Sequence, residues 1–235
     1  MIPSLKKRFW TETGVRPIDA GHGVTLDGRP IRTPAKAALV VPTRPLAEAI
    51  AAEWQTVEAE VDPALMPLTR RANAAIDKVS PQRTAVVQML AEYGATDLLC
   101  YRAAHPAELA TAQAAAWDGL LDWAAAQYDA RLHVTTGVVP VAQDAPALAR
   151  LFAALDGFTP FALTGVHDLV TLSGSLVIGL AATAPDADIE ALWQAAQVDE
   201  SWQTQLWGED DEAREATGRK HQAFLDAFRF FLLAS

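Results

Sequence analysis

The sequence predicts an α+β protein. A small β-rich N-terminal domain with one helix, residues 1–62, precedes a larger all-helical C-terminal domain, residues 63–235. Three observations predict this. In "GVTLDGRPIRTP", Asp27-Gly28 stands between two short runs of β character, and Asp-Gly favours the positive φ angles of a tight hairpin. From Thr43 onward, apolar residues recur every three or four positions, the period of a helix. Between the two regimes, Pro63 and Pro67 break the chain and set the expected boundary in Val61–Pro67.

Pro34 and Pro42 flank a further strand expected over Ala37 to Val41. Thr43 caps the first helix and Pro45 suits its first turn. Leu46, Ile50, Trp54, Val57 and Val61 lie on one face of it, and Trp54 is expected to be packed. "TRRANAAIDKV" reads as a short helix capped by Thr69. Ser80-Pro81 signals the start of the next, which is expected to end before Gly94. The Ala-rich run "PAELATAQAAAWDGLLDWAAAQYDA" is helical, "TTGVVPVAQ" interrupts, and helices follow to the C-terminus. One of these is expected to span "DADIEALWQAAQVDESWQTQLWG" and end at Gly208, and another to cover "DDEAREATGRKHQAFLDAFRFFLLAS".

Composition narrows the function. With 51% hydrophobic residues the chain can bury a core without a disulfide, and a single cysteine cannot form an internal one. The formal net charge of −10 repels phosphate backbones, so no nucleic-acid partner is expected. "MIPSLKKRFW" has no apolar run after its basic residues and is no secretory signal. The most apolar stretch, Phe161 to Thr183, contains His167 and Asp168. An Asp at a bilayer centre costs about 2.5–3.5 kcal/mol, so the stretch reads as one helix, or two, in a protein core and not as a membrane insertion.

No phosphate-binding loop, dinucleotide fingerprint or nucleophile elbow is present. The five histidines, His22, His105, His133, His167 and His221, form no local pair, so neither metal nor cofactor is expected. Cys100, in "YGATDLLCYRA", has His105 five positions on, which raises a thiol enzyme as one alternative. Its apolar neighbours favour a structural cysteine. Asp97 beside Thr96 reads as a cap, and Arg102 could reach that acid and join two elements. There are seven tryptophans, and Trp193, Trp202 and Trp207 are expected in one helix. Asp199, Glu200, Glu209, Asp210, Asp211 and Glu212 flank the later pair. Aromatic anchors rimmed by charge suit a protein-binding surface, while core tryptophans beside a solvated acidic face are the competing reading.

Across nearly its whole length the chain resembles the ATP synthase assembly chaperones of the ATP12 type, which act on the alpha subunit of F1. The resemblance rests on "KRFW" (Lys7 to Trp10), "LDGRPIRTPAK" (Leu26 to Lys36), "LAEAIAAEW" (Leu46 to Trp54) and "MPLTRRANAAID" (Met66 to Asp77). "TDLLCYRA" (Thr96 to Ala103), "WDGLLDWA" (Trp117 to Ala124), "ALTGVHDLVTLSGSLVIGLA" and "DESWQTQLWG" continue it in order. It implies the same two-part fold and a function without catalysis, in which the protein holds free alpha subunit until a beta subunit replaces it. It also implies partner-binding roles for Asp199, Glu200, Trp202 and Trp207. Val198 and Ser201 stand where the family often has Leu and a third acid. Trp117-Asp118-Gly119 replaces a Trp-Asp-Pro, a change expected to alter a helix start. A chain beginning so close to the first motif is expected to be bacterial and cytoplasmic, or of the mitochondrial matrix if a presequence was removed. It is expected to be monomeric when free. A generic helical adaptor is the remaining alternative.

Overall fold

The computed structural model describes residues 7–208 and 210–235; the first six residues of the N-terminal reading and Glu209 lie outside them. The α+β architecture is as expected. The chain packs as two compact units. Unit 1 holds the residues up to Arg83 with Thr159–Gly165 and Arg229–Ser235, and unit 2 holds Thr84–Phe158 and Val166–Phe228.

Unit 1 is built on β2 (Gly21–Leu26), which pairs antiparallel with β1 (Thr13–Ile18), β3 (Arg29–Pro30) and β4 (Val40–Val41). The Asp27-Gly28 hairpin forms as read, with φ of 46° and 76°. Asp27 also accepts from the backbone N–H of Glu12 at 2.9 Å and Thr11 at 3.0 Å, and these bonds hold its carboxyl below the usual range. Gly21, at φ +137°, passes so close to the Val41 carbonyl that no Cβ fits.

Helix α1 (Arg44–Thr56) is capped by Thr43, whose Oγ1 accepts from Leu46 N at 3.2 Å. It buries Leu46, Ala47, Ile50 and Ala51 against the sheet, in a core shared with Trp10, Val24, Leu39, Met66, Leu68 and Phe230. It stops at Thr56, so Val57 is an extended C-cap and Val61 lies beyond the helix, off the expected face. Trp54 is packed, edge-on to Trp10 with ring centroids 5.2 Å apart.

Thr69 is not a cap. Helix α2 (Pro67–Ala74) begins two residues earlier, and the Glu53 carboxylate of α1 takes over the capping. It accepts from Leu68 N at 2.7 Å, Thr69 N at 2.8 Å and Thr69 Oγ1 at 2.7 Å. A carboxylate at a helix N-terminus satisfies orphan N–H groups from outside the local sequence, which no local pattern reveals. Ser80-Pro81 does not start a separate helix either. The chain passes through a π turn (Ala75–Val79) and a 3-10 turn (Ser80–Gln82) directly into α3 (Arg83–Ala95). These irregular turns accommodate the proline's missing N–H.

Unit 2 opens with α3, which runs through Gly94. That glycine is a close approach, not a stop: a Cβ there would stand 3.2–3.5 Å from Leu176, Leu148 and Leu151. The segment Leu98–Cys100 is a 3-10 turn, followed by β5 (Tyr101–Arg102). β5 pairs parallel with β6 (Thr135–Thr136), a small ladder the sequence did not reveal. The long α4 (Ala107–Tyr128) buries Gln113, Trp117, Leu121 and Ala124 along one stripe. Asp118-Gly119 therefore lies inside a helix, and the expected change of helix start does not occur.

Then come α5 (Ala145–Asp156), α6 (Pro160–Ser173), α7 (Leu176–Ala181), α8 (Ile189–Ala196), α9 (Val198–Trp207) and α10 (Asp211–Ala234). The apolar stretch is two helices, α6 and α7, separated at Gly174 with φ +72°. Among the described residues no helix is long and apolar enough to cross a membrane. Where α6 meets α7, a Cβ on Gly179 would overlap the Val170 side chain and stand 3.2 Å from its backbone nitrogen. Gly179→Val is therefore expected to lower stability by about 3 kcal/mol, read as a lower urea midpoint at unchanged slope. An unchanged midpoint would show that the two helices can separate freely.

Candidate functional site

The expected site residues lie on α9, but the single helix expected to carry Trp193, Trp202 and Trp207 is two. The chain breaks at Gln197 (φ −110°, ψ 14°), between α8 and α9. Side chains of α4 bond to both sides of this break. The last carbonyls of a helix have no partner within it, and the buried indole N–H of Trp117 donates to the α8 carbonyl of Ala195 at 2.7 Å. One turn before Trp117, the Gln113 side chain uses both ends. Its Oε1 accepts from Ala103 N at 2.7 Å, and its Nε2 donates to Asp199 Oδ1 at 2.7 Å. Helix α9 is thus held at its first turn by α4.

This anchoring separates the four residues. In a helix, positions three, four and seven apart share a face. Asp199 and Trp202 face the anchored side, and Trp202 is half-buried. Glu200 and Trp207, seven positions apart, occupy another face, only about 20° apart around the axis. That face is open: Glu200 is exposed and Trp207 is 85% exposed. Leu206, its neighbour in sequence, is 59% exposed. No residue of α9 is buried. Trp193 is core, stacked on His221 with centroids 5.2 Å apart and tilted on Phe224 at 5.4 Å. The three tryptophans therefore divide, with Trp193 in the core, Trp202 at the margin and Trp207 outside.

The residues around Cys100 hold unit 2 together. Asp97 is fully buried and accepts from Leu99 N at 3.1 Å and Val177 N at 3.0 Å. It thereby caps the 3-10 turn and fixes the start of α7. Burial pushes its pKa up, against the hydrogen bonds from Ser175 and the backbone. Arg102 does not pair with this acid. Its guanidinium lies 5.1 Å from the Trp117 ring centroid and 2.8 Å from the Asp118 carboxylate, joining β5 to α4. Cys100 is 1% exposed, and burial, then the nearby Asp97, push its thiol up to about 12. At neutral pH it is a protonated thiol without solvent access, and His105 is exposed. This geometry does not support the thiol-enzyme alternative. Among the described residues no group of three or more His, Cys, Asp or Glu side chains could hold a metal ion.

Gln113 is the positioning residue that sequence reasoning missed; for Arg102 it foresaw the joining of two elements but not the partners, Asp118 and Trp117. The signal for Gln113 was available: it is the polar member of an apolar stripe on α4, spaced four from Trp117 and eight from Leu121. A polar side chain in such a stripe needs a buried partner.

A family model described as ATP12 chaperone protein matches residues 7–125, a segment that ends before α9. Among solved structures, Atp12 from Paracoccus denitrificans is 47% identical, with a TM-score of 0.94 over 97% of this chain and 98% of that one. A mutant of the same protein gives the same figures. The Atu1473 protein from Agrobacterium tumefaciens is 35% identical, with a TM-score of 0.94 over 98% of this chain and 87% of that one.

Iodoacetamide is expected to leave Cys100 unmodified in the native protein at pH 8 and to alkylate it after denaturation, by mass spectrometry. Rapid native alkylation would show an accessible thiolate.

Proposed function

The chain belongs to the ATP12 chaperone family, and on that premise we propose that it assists assembly of the F1 sector of ATP synthase by binding the free alpha subunit. It covers the surface that a beta subunit later occupies, in the bacterial cytoplasm, and is itself a monomer when free. An unassembled subunit exposes an apolar interface that self-associates unless it is covered. The chaperone must release its client to the incoming subunit, so its affinity is moderate.

The observation that supports this reading is the outward face of α9. An indole that is 85% exposed is costly to leave in water and is a common anchor at protein interfaces. Here it shares a helix face with Glu200, and the helix is fixed from behind by Gln113, which bonds Asp199. An aromatic anchor with an acid seven residues away fits a client surface with an apolar pocket beside a cation. Asp199 acts through position, by holding the helix, and Glu200 and Trp207 make the contact.

Purified alpha subunit is expected to scatter less light on warming when this protein is present, and to be retained by it in a pull-down. Glu200→Lys and Trp207→Ala are each expected to weaken that binding about tenfold or more, about 1.4 kcal/mol, with the melting temperature unchanged. Equal protection of unrelated clients would favour the generic adaptor. A collapse in melting temperature would assign Glu200 and Trp207 to the fold instead.

A further inference from the structure

Unit 1 contains a cleft of about 840 Å³, between the loop that follows β3 and the outer side of α2 with its π turn. Its charge runs against that of the whole chain. In a protein of formal net charge −10, Arg32, Lys36, Arg70 and Lys78 all line this cleft, and the only acid among its lining residues is Asp77. The Asp77 carboxylate is already committed: it accepts from Thr33 Oγ1 at 2.7 Å and from Ala35 N at 3.1 Å. These bonds tie the loop to the helical side. In the same loop Lys36 is held at φ +69°, with its N–H donating to Thr33 O at 2.8 Å. Among the described residues the side chains of Lys36, Arg70 and Lys78 have no hydrogen bond or ion pair, so their charges are uncompensated.

The remaining wall is not that of a simple anion site. Trp54, Val61 and Met66 give it an apolar side. Two polar atoms of lining residues, Trp54 Nε1 and Asn73 Oδ1, are shielded from solvent with no hydrogen-bond partner. One is a donor and the other an acceptor. A free phosphate would leave the apolar side unused. The side chains of an acidic peptide can present both carboxylates and aliphatic groups to such a wall.

We propose that this cleft binds a short acidic peptide segment of a partner chain. Carboxylates meet Lys36, Arg70 and Lys78, and an aliphatic side chain lies against Val61 and Met66. No residue of α9 is among those lining the cleft, and the proposal does not depend on the alpha-subunit reading.

The test is fluorescence anisotropy on the full chain. The probe is a fluorescein-labelled peptide of alternating glutamate and leucine, with a matched glutamine–leucine peptide and inorganic phosphate as comparisons. The acidic peptide is expected to bind at least about tenfold more tightly than the glutamine peptide, with an affinity that falls as salt rises. Arg70→Glu combined with Lys78→Glu is expected to weaken binding about tenfold or more. Both residues are exposed, so the melting temperature should be unchanged. Lys36→Glu is a second variant on the opposite wall, with the same expected direction. Equal binding of the two peptides, no binding, or variants that bind as well as the parent would overturn the proposal. Inorganic phosphate binding as tightly as the acidic peptide would also overturn it, by making the cleft a bare anion site.

Discussion

The hydrogen bond from the Trp117 indole to the Ala195 carbonyl is the constraint on which the arrangement of unit 2 around α9 depends. It is a capping bond supplied by a side chain from another helix. Without it, Ala195 would be one more unpaired carbonyl at a buried helix end. With it, α8 can stop at Ala196 and the chain can turn at Gln197 into a second helix with no buried residue of its own. Trp117 is fully buried, and removing such a side chain typically costs about 3–5 kcal/mol. Gln113 and Arg102 extend the same anchorage. Gln113 ties Ala103 to Asp199, and Arg102 stacks on the Trp117 ring. A helix that buries nothing can still be held in one orientation when the bonds at its first turn are themselves buried or half-buried.

Much of the fold was legible because its signals are local. Asp27-Gly28 carries its turn in two residues, and Thr43 carries its cap in four. The misreadings have a common cause in long-range contacts. Thr69 looked like a cap because the capping carboxylate, Glu53, lies sixteen residues away. Gly94 looked like a stop because the leucines that crowd it belong to α5 and α7. The break at Gln197 leaves no local mark, and the α4 side chains that bond on either side of it lie about eighty residues away. The parallel pairing of β5 with β6 involves two residues in each strand, too few for a periodic signal. The four candidate residues were grouped from the sequence without their division into two pairs. Helical spacing could have separated Glu200 and Trp207 from Asp199 and Trp202. Which pair faces inward depends on Gln113.

The reactive-looking residues around Cys100 and the exposed residues of α9 illustrate opposite uses of chemistry. Asp97, Cys100 and Arg102 are buried and serve the fold. Asp97 joins a 3-10 turn to α7, and Arg102 joins β5 to α4. On α9 the costly features are an indole 85% exposed and, beside it in sequence, a leucine 59% exposed. Such exposure is expected of a surface that is covered by a client for part of its life. A chaperone that must later release its client benefits from a small, rigid patch. Rigidity limits the entropy lost on binding, and small size keeps the affinity moderate.

The most direct measurement is hydrogen–deuterium exchange of the full chain with and without purified alpha subunit. The account predicts slowed exchange in residues 200–207 when the subunit is added. Unchanged exchange in α9, with protection appearing elsewhere, for instance at the exposed Val138 and Val139, would contradict it.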